Sequence, residues 1–369
     1  MNSSLESNSI FFRITNKVDS IIKKEKLNKQ VGEVTIKIHD LYNCVLGKNI
    51  KIKFADITLC NSVNSQVFLV SSPEAEAISG AGAFIPSKKR LKFCIPRYHL
   101  GIPAQLDKEV AMFQLASTPS MKNIINKSSH KNSGVIYFAR EGHLAQWQKA
   151  VYLLTGKNLP TTIVSISHKP ANNVFTRESH FGSNPNLEGF NLRNLEYLYI
   201  CDPVASGMQH IAMIEKLQEF NSLPKTVVVI APMATKYGLL AIAVACKELG
   251  VNFIGGTCAT LLDSNAPLRY YSPYPQSVDQ VVDKDLHRFV RKHFKDVLHK
   301  PCIRCNWSAT FFGGPKMPLE ASEEELRSVG LSNKLLLDLC NNVSVDSAKS
   351  FGVYNDLIPY STKLINQGI

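Results

Sequence analysis

The residues best placed to do chemistry are Leu198-Tyr199-Ile200-Cys201-Asp202-Pro203-Val204-Ala205-Ser206-Gly207. They read as an apolar strand, then an acid, then small residues, then the start of a helix. Small side chains let a backbone approach a phosphate. The free N–H groups at a helix start bind that anion, and the helix dipole adds to the attraction. An acid at the strand end can accept hydrogen bonds from ribose hydroxyls. Without a ligand, the same segment is a plain strand–loop–helix in which Asp202 caps the helix. Both readings stand at this point.

The elements that must position this segment are legible in the pattern around it. Gly134 to Ala139 is a short apolar run and Leu144 to Leu154 is helix-like. Thr161 to Ser167 is β-branched, and Leu195 to Cys201 is a further strand. Ile211, Ile214, Leu217 and Phe220 form one helical stripe. Thr226 to Met233 is almost wholly apolar, as a strand buried on both faces requires. Tyr237 to Leu249 reads as a helix ended by Gly250, and Val251 to Leu262 as a strand. Strands alternating with helices imply βαβ units and a parallel sheet. The ligand would then lie at the carboxyl ends of the strands.

The flanks differ. Val31 to Asp40 alternates apolar and polar residues, and Ile50 to Phe54 and Gln66 to Val70 read as strands. A turn at residues 79–83 leads to Lys88-Lys89-Arg90. Polar residues from Asn126 to Ser133 suggest a linker. Asp283 to Leu298 is amphipathic, and Ser322 with Glu325 forms a capping box. The expected organisation is an α/β chain with three parts. Residues 1–133 form a basic α+β domain, 134–282 the parallel-sheet domain, and 283–369 a helical C-terminal extension.

The motif segment resembles the ribose-phosphate motif of type I phosphoribosyltransferases. That pattern is an apolar strand, two acids, two apolar residues, a small residue, Thr or Ser, then Gly. Asp202 falls on the second acid, and Ser206-Gly207 on the Thr-Gly pair; Cys201 stands where the first acid belongs. Met208 and Gln209 occupy positions where Gly and Ser or Thr are frequent. The surroundings are most similar to the uracil phosphoribosyltransferase branch. Its Arg-Ala-Gly segment is matched by Ala139-Arg140-Glu141-Gly142, and its strand ending in Ala-Pro by Val229-Ile230-Ala231-Pro232. Its base loop is matched by Arg269-Tyr270-Tyr271-Ser272-Pro273-Tyr274-Pro275, with Asp279 beyond and without the family's glycines. The resemblance covers roughly residues 134–282.

This resemblance implies a parallel sheet of phosphoribosyltransferase type. It implies transfer of phosphoribosyl from phosphoribosyl pyrophosphate to a pyrimidine-like nitrogenous base, with Mg²⁺. Arg140 would serve pyrophosphate and Asp202 the ribose hydroxyls. Val204, Ala205, Ser206, Gly207, Met208 and Gln209 would hold the 5′-phosphate, and Tyr270, Tyr271 and Asp279 the base. No residue is assigned as a metal ligand. Two alternatives remain. Arg140 can be an ordinary surface arginine, and the fold can serve binding or regulation without catalysis, since Cys201 removes a charge near the ribose.

Composition bounds the rest. With 44% hydrophobic and 20% charged residues the chain is globular in type, not disordered. No apolar run reaches the ~20 residues of a membrane span, and the first residues lack signal-peptide character. Nine scattered cysteines read as reduced thiols, so a cytoplasmic protein is expected. The net charge of +12 is uneven: residues 1–133 carry 19 Lys/Arg against 10 Asp/Glu. No aromatic-interleaved basic motif accompanies this excess, so nucleic acid is not the expected partner. A nucleotide-type ligand and a homo-oligomer are. His293, His299, Cys302 and Cys305 lie close together, but a second paired motif is missing and zinc is not assigned. The basic residues from Lys284 to Lys295 read as a solvated helix face.

Overall fold

The computed structural model describes residues 10–22, 27–37, 49–80, 84–86, 91–93, 102–139, 142–170, 177–265, 270–272, 277–285 and 287–288. Among the described residues the α-helices are α1 (Ile10–Ile22), α2 (Pro73–Gly80), α3 (Ile102–Ser117), α4 (Pro119–Lys127), α5 (Trp147–Thr155), α6 (Met208–Glu219) and α7 (Lys236–Glu248). The strands are β1 (Asn28–Lys37), β2 (Asn49–Thr58), β3 (Ser65–Ser71), β4 (Phe84–Pro86), β5 (Leu91–Phe93), β6 (Ser133–Phe138), β7 (Thr161–Val164) and β8 (Ile166–Pro170). There follow β9 (Arg177–Phe181), β10 (Tyr197–Cys201), β11 (Thr226–Ala231), β12 (Ala234–Thr235), β13 (Asn252–Cys258), β14 (Leu261–Asn265) and β15 (Tyr270–Ser272).

Eight strands make one sheet in the order β1-β2-β3-β13-β11-β10-β6-β7. From β3 to β7 every neighbouring pair is parallel, while β1–β2 and β2–β3 are antiparallel. The protein is thus an α/β fold on a large, mostly parallel sheet. The apolar run Thr226–Ala231 is β11, buried along its whole length in the middle of the sheet. Burial on both faces is what selects an all-apolar strand over an alternating one.

Strand alternation splits the core into two layers. Tyr199 and Cys201 of β10 join one cluster with α2, α3, α4 and α5, whereas Leu198 and Ile200 join the other with α1, α6 and α7. Each fully buried Leu, Ile or Val in these layers contributes about 1.5–3 kcal/mol relative to exposure.

The sheet runs through the boundary expected at residue 133. Phe68 to Val70 of β3 pair with Gly256 to Cys258 of β13, so β1, β2 and β3 extend the same sheet instead of forming a separate one. The polar stretch read as a linker is a tight turn. Ser128 Oγ and Tyr199 Oη are 2.7 Å apart, and Asn132 Oδ1 accepts from the Ser129 N–H at 2.8 Å while its Nδ2 donates to Glu196 at 3.0 Å. Side chains that look like solvent-loving loop residues are here bonded within the protein.

Three predicted elements are broken in two. Gln146, at φ 51°, separates a 3₁₀ turn (Gly142–Ala145) from α5. Ala259, at φ 50°, divides the long strand into β13 and β14. Thr161 to Ser167 divides between β7 in the main sheet and β8, which pairs with β9. The C-terminal capping box, the His/Cys cluster and most of the basic amphipathic helix lie outside the described residues. Among the described residues no helix is long and apolar enough to cross a membrane.

Candidate functional site

The chain leaves β6 for the edge strand β7, then returns to the other side of β6 as β10 and moves outward through β11 and β13. The order therefore reverses between β6 and β10. In open α/β sheets the loops on either side of such a reversal diverge and leave a crevice at the carboxyl ends, where ligands bind. The loop after β10 is Asp202 to Gly207, and the loop after β6 leads to Gly142. Gly142 packs on the end of β10: a Cβ there would stand 1.9 Å from the Cys201 carbonyl oxygen.

The Asp202–Gly207 loop is clamped from the side of β11. The Asp202 N–H donates to the Ile230 carbonyl at 3.1 Å and the Val204 N–H to that of Met233 at 2.9 Å. The Thr235 N–H returns a bond to the Val204 carbonyl at 2.8 Å, so residue 204 pairs with β12 like a strand. The Thr235 hydroxyl donates to the Ala205 carbonyl and accepts from the Gly238 N–H at 2.8 Å, capping α7 while holding the loop. Gly238 permits this approach: a Cβ would meet the Ala205 carbonyl oxygen at 2.3 Å.

Gly207 makes the turn into α6. Its φ of 78° is a left-handed value, and a Cβ there would be 2.7 Å from the Gly238 carbonyl oxygen. As the N-cap of α6 it supplies no side-chain cap. The Met208 N–H meets the Ser206 hydroxyl at 3.3 Å, and Gln209 Nε2 donates to the Ile166 carbonyl at 3.2 Å. The residues expected to hold phosphate, Val204 to Gln209, are thereby brought into one compact turn at a helix N-terminus. Such a terminus presents unpaired N–H groups and a positive dipole end.

Asp202 is buried, 6% exposed, at the base of this loop. Cys201 beside it is fully buried on the apolar face with Tyr137 and Tyr199. Burial, and then the neighbouring Asp202 charge, push its thiol well above the ordinary cysteine range. Cys201 is therefore a neutral core residue, not a stand-in for an acid. His210, in the first turn of α6, is also buried and is pushed down to about 3 by burial alone. It is neutral, with its ring edge-on to Phe138 at 5.1 Å.

Of the other expected residues, Arg140 lies outside the described residues. Tyr270 and Tyr271 lie on β15, which pairs with β14, itself paired with β12. Val204, β12, β14 and β15 thus form one lateral array. At ~4.8 Å per strand, β15 is roughly 14 Å from the loop. Asp279 sits in a 3₁₀ turn whose neighbour Gln280 bonds Asp263 at 3.0 Å and whose Val282 N–H donates to Ala259 at 3.0 Å. That turn therefore belongs at the carboxyl end of β13. The sequence reading did not single out Thr235 and Gly238. A Thr three residues before a Gly at a helix start was the available signal, but its contact with residue 205 is long-range.

No protein-family model and no curated protein matches the sequence. Among solved structures, the chain is similar to adenine phosphoribosyltransferase from Trypanosoma brucei, in complex with AMP, pyrophosphate and ribose-5-phosphate. The identity is 13% over 53% of this chain and 84% of that one, with a TM-score of 0.33. A purine phosphoribosyltransferase from Pyrococcus horikoshii Ot3 gives 13% identity over 42% and 83%, with a TM-score of 0.27. Trypanosoma cruzi hypoxanthine phosphoribosyltransferase, in complex with the product IMP, gives 9% over 49% and 92%, also with a TM-score of 0.27. At these values the likeness assigns neither family nor activity.

Proposed function

We propose that the chain binds a 5-phosphorylated ribose at Asp202–Gln209 and acts as a phosphoribosyltransferase. The supporting observation is the clamped Asp202–Gly207 loop, which lies at the strand-order reversal and opens into α6 without a side-chain cap. The 5′-phosphate is held by backbone N–H groups of the turn from Ala205 to Gln209. Asp202 accepts from the ribose hydroxyls. Its carboxylate also offsets positive charge on the sugar as the bond to pyrophosphate breaks. The incoming base donates the electron pair that forms the new bond at C1 and gives up its N–H proton to solvent, and pyrophosphate departs with the electron pair of the old bond. Tyr270, Tyr271 and Asp279 lie on the segments that would receive a base of pyrimidine type. Arg140 would neutralise the leaving pyrophosphate.

Mg²⁺ is usually held by one or two carboxylates together with substrate phosphates and waters, not by a protein cage. Asp202 would hold it together with the pyrophosphate oxygens, and the ion would offset the negative charge of the leaving group. A release assay tests the reading. Pyrophosphate should appear from phosphoribosyl pyrophosphate plus uracil, or another base from a panel, and only with both present.

A second reading is favoured by Cys201. Where the motif carries its first acid, this chain has a buried thiol packed into the core. A protein that senses a ribose phosphate without transferring it would show the same loop. Ligand binding without pyrophosphate release for any base would select it.

A further inference from the structure

We propose that the amino end of the sheet carries a second ligand site, a cleft of 330 Å³ beside Asp56 that takes a small guanidinium-type cation on a short apolar stem. It is independent of the ribose phosphate turn, which lies at the opposite, carboxyl end. The strand register builds the cleft. Gln30, Asp56 and Phe68 stand opposite one another across β1, β2 and β3, and Asn28, Thr58 and Gln66 do so one pleat away. Ile254, near the start of β13, continues the second row. Opposite residues, and residues two apart, share one face of a sheet. This is the face covered by α4, which closes the cleft with Ser120, Asn123 and Ile124. Along the strands the face changes from apolar at Ile36, Ile52 and Val70 to amides and hydroxyls at the cleft. Phe68, Ile124 and Ile254 leave an apolar wall for a stem. The volume is at the small end of ligand sites, which hold roughly 300–1,000 Å³.

The charge of the cleft selects its ligand. Among the described residues that line it, Asp56 alone is charged. A carboxylate offers about four acceptor sites. Here Oδ2 accepts from Ser120 Oγ at 2.7 Å, while Oδ1 is buried and has no hydrogen-bond partner among the described residues. An unpaired buried acceptor costs about 1–3 kcal/mol, and more when charged. Burial, partly offset by the Ser120 bond, holds the carboxyl above its ordinary value. Lys29, between the two β1 residues of the cleft, is turned to the other face and donates to the Val278 and Val281 carbonyls at 2.8 and 2.9 Å. No lysine or arginine among the described lining residues meets the carboxylate, so that role falls to a ligand. The terminal torsion of an aspartate is soft, and a modest rotation presents Oδ1 to a donor in the cleft. A guanidinium carries five N–H donors in a planar fork that matches a carboxylate. Donors not used by Asp56 meet the amide and hydroxyl oxygens around it.

Calorimetric titration of the whole chain with butylguanidine, and with butylurea as its uncharged counterpart of nearly the same shape, tests the site. Butylguanidine should bind, and butylurea should bind roughly 10- to 100-fold more weakly, as loss of charged hydrogen bonds does. Asp56→Asn keeps the shape of the side chain and removes its charge, so it should weaken butylguanidine by a similar factor and abolish the preference for it. No butylguanidine binding at millimolar concentration, equal affinity for the two probes, or full butylguanidine affinity in a folded Asp56→Asn chain overturns the proposal. If that variant does not fold, hydrogen exchange on the unaltered protein decides. Butylguanidine should slow exchange over residues 54–58 and 119–124 where equal butylurea does not, and no such difference overturns the proposal.

Discussion

Gly142 lies against the carbonyl oxygen of Cys201, and nothing larger than hydrogen fits between them: a Cβ would stand 1.9 Å from that oxygen. The contact joins the two loops that flank the strand-order reversal. Gly142→Ala must push the loop after β6 away from β10. Overpacking costs ~1–3 kcal/mol, and the upper end applies because the obstacle is backbone. Urea denaturation should show that loss, and ribose phosphate affinity should fall with it.

Asp202→Ala should weaken ribose 5-phosphate binding by ~1.5–3 kcal/mol, the range for hydrogen bonds to charged groups. The side chain sits at a strand end and not within either apolar layer, so cooperative unfolding should persist. A folded variant with unchanged affinity would make Asp202 a structural cap.

Thr235→Val removes the hydroxyl that caps α7 and ties Ala205 in place. Loss of an N-cap costs ~0.5–2 kcal/mol of stability. The same change frees the phosphate loop, so affinity should drop by more than stability alone explains. A variant that loses stability but binds normally would separate the two roles.

His210 gives a pH dependence with a definite sign. Burial holds it down to about 3, against an ordinary value of 6.5. The unfolded chain therefore binds a proton between these values while the folded chain does not, and stability rises with pH across that window. At 1.36 kcal/mol per unit, the contribution lost between pH 6.5 and pH 4 is about 3 kcal/mol. His210→Leu should flatten this part of the stability profile, as followed by denaturant titration at each pH. An unchanged slope would show that His210 is protonated in the fold.

Much of this architecture was legible in the sequence, and the losses have physical causes. β11 and α7 announce themselves because a wholly apolar run and a Gly-terminated stripe have few other uses. The loop at Asp202–Gly207 was found from residue types alone. What failed were the long-range relations. The pairing of β3 with β13 joins residues nearly 190 apart, and nothing local to Gln66–Val70 encodes it. The turn at Asn126–Ser133 looked like a linker because side-chain hydrogen bonds to Tyr199 and Glu196 leave no mark in composition. Cys201 looked like a degraded acid, whereas strand alternation places it in the core with Tyr199.

The central claim is that the Asp202–Gln209 turn takes a 5-phosphorylated ribose. Thermal denaturation of the whole chain with ribose 5-phosphate, repeated with Asp202→Ala, tests it most directly. At one hundred times Kd the ligand should add ~2.7 kcal/mol to the unaltered protein, and the same concentration should add much less to the variant. No shift of the unaltered protein at millimolar ribose 5-phosphate, or an equal shift in both proteins, would contradict the claim.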